Sequence, residues 1–345
     1  MEIFRNLINN EYDMFKGIIY YMSQKNPEIA HDKFVQTSRL LNSIGLDKIL
    51  FDTDLNNISL PFEISNAAGF NKNGDIPPQF LKYLGFNRMV VGTVTGEEWA
   101  GNKIPRIVRF PQTKSLVNWM GLPGVGAKRI DENLHSFGKI PLPITINLMS
   151  TPGKSGDELL SDLETSIRYT CPYSDRYELN ISCPNTQLNR NCKIDARDEY
   201  QKQLSSMLKV LDEGIYGRSK YLKVSPDLDL DDVKNILDVI NDFDVDGITT
   251  TNTTTNHLPE FIPNSPGKGG ASGQAVKSAS INIQKMFINE INKRGLNLKL
   301  IACGGIDSVS EINYRLENGA SGIQIYTPLI FEGPKLLYNI RKAYQ

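Results

Sequence analysis

Cysteine is scarce in this chain: Cys171, Cys183, Cys192 and Cys303 are the only four among 345 residues, and none forms a C-x-x-C pair. The three histidines, His31, His135 and His257, lie far apart in the sequence. That spacing argues against a zinc site, and so long a chain needs no disulfide framework. A reducing compartment and no signal peptide are the expectations. Long apolar runs are missing as well. The longest near the N-terminus, Met14 to Met22, is interrupted by Lys16 and falls far short of a bilayer span. Its Phe15, Ile18, Ile19 and Met22 recur at helical spacing, which suits a helix lying on a surface or packed against the main domain. Neither sign of charge dominates. The 38 basic and 39 acidic residues leave a net charge of −1, so no global field gathers nucleic acid.

What is present is ordinary globular composition, 40% hydrophobic and 22% charged, enough to bury a large core. From about residue 62, short apolar runs alternate with helix-like segments. Strands are expected at Glu63–Ala67, Arg88–Thr93, Ile144–Leu148, Tyr177–Ile181, Tyr221–Ser225, Gly247–Thr251, Leu298–Ala302 and Gly322–Tyr326. Periodic helical segments lie near 76–84, 125–137, 156–170, 198–213, 230–242, 278–293, 308–318 and 333–343. Eight successive strand–helix units predict an α/β fold, a (β/α)8 TIM barrel over 51–345. An open doubly wound sheet is the alternative, weakened because no G-x-G-x-x-G opens the first unit. Residues 1–50 read as an N-terminal helical extension, with Pro27 at a helix boundary. The polar loop from about 255 to 276 is rich in Gly and Pro and long enough to cover a ligand.

The run Asn180-Ile181-Ser182-Cys183-Pro184-Asn185-Thr186 places a cysteine between amides directly after an apolar strand. Amides offer donors and acceptors together, which suits a flat ligand with amide edges, and the thiol can serve as base or nucleophile. In a barrel, chemistry gathers at the C-terminal ends of the strands. Those ends carry Ala67 to Gly74 with Lys72, then Thr93, Asn147, Asn180, Cys183, Lys223, and Thr251 to Thr254. Several amides and two lysines converging on one mouth are costly without a polar ligand. The last two units end in Cys303-Gly304-Gly305 and Tyr326-Thr327, and with Gly273 they offer backbone amides and hydroxyls to a phosphate.

In this order the motifs resemble the dihydroorotate dehydrogenase family, the FMN enzymes of pyrimidine synthesis. They are AAGFNKNG (67–74), GTVT (92–95), GNKIPR (101–106), NWMGLPGVG (118–126), NISCPNT (180–186), LKVSPDL (222–228), TTNTT (250–254), GGASG (269–273), CGGIDS (303–308) and QIY (324–326). The resemblance implies FMN on the barrel mouth, with its phosphate at Gly273, Gly304, Gly305, Tyr326 and Thr327. It places Ala68, Gly69, Thr93, Asn147 and Thr251 along the flavin and Lys223 at its pyrimidine edge. Dihydroorotate, and the product orotate, would be held by Asn118, Asn180, Asn185, Asn252 and Thr253, with Lys72 at the carboxylate. Cys183 would be the base at C5, with Thr186 passing the proton onward. Asn26 to His31 are similar to the membrane-associated class, whose helical extension gives a quinone access. That implies a cytoplasmic protein in peripheral contact with the inner membrane. Three residues depart from that class: Cys183 where it uses serine, Leu122 where it has an aromatic, and Glu97 near a position it keeps basic. Quinone is the expected acceptor; the alternatives are the same reaction with fumarate, or a related flavin barrel acting on another pyrimidine. An NAD-linked form would need a separate iron–sulfur subunit.

Overall fold

The computed structural model describes residues 26–51, 54–182 and 194–345. Eight parallel strands form its centre: β1 (Glu63–Asn66), β2 (Met89–Val94), β5 (Ile144–Leu148), β6 (Arg176–Asn180), β7 (Ser219–Val224), β8 (Gly247–Thr250), β10 (Lys299–Cys303) and β11 (Gly322–Ile325). They are hydrogen-bonded in the order β1-β11-β10-β8-β7-β6-β5-β2. A parallel bridge from Ser65 to Arg88 joins β1 to β2 and brings the ends of the sheet together. The result is a (β/α)8 TIM barrel with helices around it. The strands read as nearly continuous apolar runs because both of their faces are covered; Ile144–Leu148 and Gly322–Ile325 are buried throughout. The expected strands match these elements to within a residue or two at most ends.

Three further strands were not expected. β3 (Ile107–Phe110), β4 (Ser115–Asn118) and β9 (Gly270–Gly273) form a separate antiparallel sheet. Each has only four residues, too few for the apolar periodicity of their sequences to give a signal. β9 lies inside the loop expected to cover a ligand and pairs with β4, in register Asn118 with Gly270 and Ser115 with Gly273. The following helix, Gln274–Arg294, begins directly after that strand, four residues before the expected start at 278.

The bottom of the barrel, at the strand N-termini, is closed by ion pairs. Arg88 meets both carboxylate oxygens of Asp175, at 2.7 and 2.8 Å, and Glu63 at 2.7 Å. Arg176 also reaches Glu63, at 2.7 Å, and its guanidinium lies over the Tyr221 ring, 4.2 Å from the centroid. Arg88, Glu63 and Arg176 are largely buried while Asp175 is exposed, so it is the loss of a partner to Glu63 that strands a buried charge.

Ahead of the barrel, the Pro27–Ser43 helix starts at Asn26, whose side chain accepts from the amides of Glu28 and Ile29, with proline in the first turn. Glu28 pairs with Arg106 at 2.9 Å, immediately before β3. The Met14–Met22 segment lies outside the described residues.

Replacing Arg88 with methionine leaves Glu63 beside one cation instead of two. The expected loss is about 3 kcal/mol of unfolding free energy, read from urea denaturation followed by far-UV circular dichroism.

Candidate active site

The C-terminal ends of the strands open into a cleft holding about 1180 Å³ of empty space, open mouth included. The antiparallel sheet covers one side, contributing Ile107, Leu116, Asn118, Ser272 and Gly273. At one end Gly273, Gly304 and Gly305 stand together with φ of +75°, +114° and +70°. Only glycine holds such angles without strain. A Cβ on Gly273 would collide with the Lys114 carbonyl, and one on Gly305 with the Lys277 side chain. Bare backbone therefore faces this end, joined by Thr327, whose hydroxyl donates to Ser272 at 2.9 Å. Such a wall suits a phosphate held by amides and hydroxyls.

The floor is polar and tightly bonded. Lys223 is 4% exposed; its ammonium donates to the Gln324 carbonyl oxygen at 2.9 Å. Glu178, 1% exposed, lies 3.9 Å from that ammonium and accepts from Asn147 at 2.7 Å, Thr249 at 2.5 Å and Gln324 at 2.8 Å. Cys303 sits 3.9 Å from Lys223; burial pushes its thiol up, opposed by the nearby ammonium.

Amides line the opposite wall. Asn252 donates to the Asn180 carbonyl at 3.2 Å and to Ser182 at 2.8 Å, and Ser182 donates to the same Asn180 oxygen at 2.9 Å. The Thr253 amide fixes the carbonyl of Asn252 at 2.8 Å. Lys72 closes the ring of polar groups. Its ammonium makes no hydrogen bond or ion pair with the described residues, and burial is the main reason its pKa falls below the ordinary lysine value. Arg106 pushes in the same direction, while Glu28, Asp32 and Asp75 oppose it. A half-buried cation of this kind favours a carboxylate ligand.

The cleft brings together Ala68, Gly69, Lys72, Thr93, Asn118, Asn180, Lys223, Thr251, Asn252, Thr253, Gly273, Gly304, Gly305, Tyr326 and Thr327. Asn147 is fully buried one layer below, where it accepts from Thr93 at 2.6 Å. Cys183, Asn185 and Thr186 lie outside the described residues. Glu178, Gln324 and Ser182 were missed. The signal for the first two was a charged or amide residue in the middle of an apolar strand, in Tyr177-Glu178-Leu179 and Ile323-Gln324-Ile325.

A line of aromatic rings leads from the N-terminal helix to the cleft. His31 and Phe34 pack on Phe70 at 6.1 and 5.5 Å, and Phe70 packs edge-on against Tyr326 at 5.7 Å. Burial, reinforced by Lys72 and Arg109, lowers the His31 pKa to about 4, so its ring is neutral near pH 7. Because that value lies below the unfolded one of about 6.5, the unfolded chain binds the extra proton first. His31 therefore makes stability fall as pH drops from about 6.5 to about 4. Substituting phenylalanine, His31→Phe, is expected to flatten that part of the stability profile, measured by thermal melts across pH 4 to 8.

A model of the dihydroorotate dehydrogenase family matches residues 50–344. A curated relative from Halobacterium salinarum, named dihydroorotate dehydrogenase (quinone), is 31% identical over 96% of this chain and 94% of its own length. One of the same name from Nitrosomonas europaea is 29% identical over 94% and 95%. Among solved structures, DHODH from Eimeria tenella in complex with ferulenol aligns with a TM-score of 0.76 at 21% identity, covering 92% of this chain and 90% of that one. That likeness concerns the fold. The match to the family, running from the end of the N-terminal helices almost to the last residue, and a relative above 30% identity over nearly its whole length place this chain in the dihydroorotate dehydrogenase family.

Proposed function

We propose that this chain oxidises dihydroorotate to orotate, with FMN as its resident flavin and a quinone as the acceptor. The observation that carries the reading is the ammonium of Lys72, unpaired among the described residues, in the same cleft as the Asn118, Asn180 and Asn252 amides and the buried Lys223. Lys72 holds the carboxylate of the substrate. Asn118, Asn180, Asn185, Asn252 and Thr253 read the amide edges of its ring, and Cys183 takes the proton from C5. FMN, when bound, supplies the acceptor for the hydride from C6.

The bare backbone at Gly273, Gly304 and Gly305, with Tyr326 and Thr327, suits the FMN phosphate. Ala68, Gly69, Thr93 and Thr251 line the flavin, with Asn147 supporting Thr93 from below. Lys223 brings positive charge where the reduced ring gains electron density. The two electrons leave with the quinone, which becomes a quinol on taking up two protons. Two features support quinone over fumarate: the curated relatives carry quinone in their names, and the aromatic line from His31 to Tyr326 gives an apolar acceptor a path. The N-terminal helix Pro27–Ser43 carries the first rings of that path, His31 and Phe34.

No helix among the described residues is long and apolar enough to cross a membrane. Exposed Ile29, Leu40, Ile44, Leu46 and Ile49 give the N-terminal helices an apolar surface for peripheral contact with the inner membrane from the cytoplasmic side.

Purified protein is expected to be yellow, to bleach with dihydroorotate under anaerobic conditions, and to recover colour with a short-chain quinone but not with fumarate or NAD. A colourless protein that ignores added FMN would sink the reading. Lys72→Ala is expected to weaken dihydroorotate binding roughly 100-fold, the scale of losing a buried charge partner, and to leave the weak binding of dihydrouracil unchanged. Equal losses for both ligands would remove Lys72 from the carboxylate.

A further inference from the structure

We infer that Glu178 is a positioning residue that fixes, through two branches of hydrogen bonds, which polar edge each neighbouring side chain turns toward the cleft. The inference rests on the flavin and dihydroorotate reading above. A carboxylate can only accept hydrogen bonds. Glu178 accepts three, from Asn147 Nδ2 at 2.7 Å, Thr249 Oγ1 at 2.5 Å and Gln324 Nε2 at 2.8 Å, which offset the cost of burying it at 1% exposure.

The first branch runs to Lys223. With its amino group committed to Glu178, Gln324 must turn its carbonyl the other way, and that oxygen takes the Lys223 ammonium at 2.9 Å. The direct separation of Lys223 and Glu178 is 3.9 Å, so the relay through Gln324 is the tighter connection.

The second branch runs to the amide clamp. Asn147, with its amino group on Glu178, presents Oδ1 to Thr93, whose hydroxyl must donate, at 2.6 Å. Thr93 oxygen is left to accept, and the Asn180 amino group approaches it at 3.5 Å. Asn180 therefore turns its carbonyl toward Asn252 and Ser182, which donate at 3.2 and 2.9 Å. In both branches every donor points toward Glu178. Without an acceptor-only group at the root, the amide of Asn147 has two nearly isosteric orientations and the polarity of the second branch is undefined, while in the first branch the donor-only Lys223 ammonium also holds the Gln324 carbonyl.

Glu178→Gln tests this. The variant keeps the shape but adds a donor, so at least one neighbouring amide must rotate. The FMN-loaded protein would be compared with wild type by the flavin midpoint potential and by the orotate dissociation constant, read from the change in the flavin spectrum. The midpoint potential is expected to become more positive, because negative charge behind Lys223 is removed. The orotate constant is expected to rise roughly tenfold, the scale of a misdirected buried hydrogen bond. Values unchanged in both readouts overturn the inference, as does a shift in potential alone, which would make Glu178 only a counter-charge. If Glu178→Gln does not fold, Gln324→Leu carries the test by cutting one branch. It is expected to move the potential and leave orotate affinity within about twofold; comparable effects on both, or on neither, overturn the branching. Wild-type protein that takes up no FMN would instead sink the functional reading itself.

Discussion

The parallel bridge between Ser65 and Arg88 turns an eight-stranded sheet into a ring, and the site depends on that closure. Parallel strands in a ring all end at the same rim. Side chains far apart in sequence, such as Lys72, Lys223 and Gly304, are thereby delivered to one cleft without any of them being neighbours along the chain. The opposite rim holds the Arg88–Asp175–Glu63–Arg176 cluster, where opposed charges satisfy one another. Stability and chemistry are thus assigned to opposite ends of the same strands.

The two lysines of the cleft illustrate two ways of keeping a buried cation. Lys223 is held by Gln324 with Glu178 close behind, so its charge is compensated within the barrel. Lys72 is not held by the described residues, and the carboxylates near it act only at longer range. A compensated cation suits a cofactor that stays, and an uncompensated one suits a ligand that comes and goes. The folded protein tolerates the second arrangement because Lys72 is only partly buried.

Much of this was legible in the sequence, and the physical reason differs from feature to feature. The barrel strands are covered on both faces and spaced by helices, so their apolar runs stand out, as at Ile144–Leu148. The glycines at 304 and 305 follow a strand and could be read as backbone exposed to a ligand. The sheet of β3, β4 and β9 could not be read, since β4 pairs with β9 about 150 positions away and all three strands are too short to show a period. Asn147 is a similar case. Its place on a strand was clear, but only the pleat decides whether a side chain enters the cleft or supports the layer above, and Asn147 does the latter. Glu178 was passed over because an acid inside an apolar strand reads as an anomaly until its partners from β5, β8 and β11 are known.

The ion pair between Glu28 and Arg106 does more than dock the N-terminal helix. Arg106 is followed by Ile107, which stands opposite Asn118 in the β3–β4 register, and the Trp119 amide donates to the Arg106 carbonyl at 2.9 Å. Asn118 in turn stands opposite Gly270, three residues before Gly273 at the bare-backbone end of the cleft. The helix, the covering sheet and the far wall of the cleft are therefore linked in one continuous chain of contacts. A load applied at the N-terminal helix has only a few covalent and hydrogen bonds to cross before it reaches Asn118 and Gly270 in the wall of the cleft.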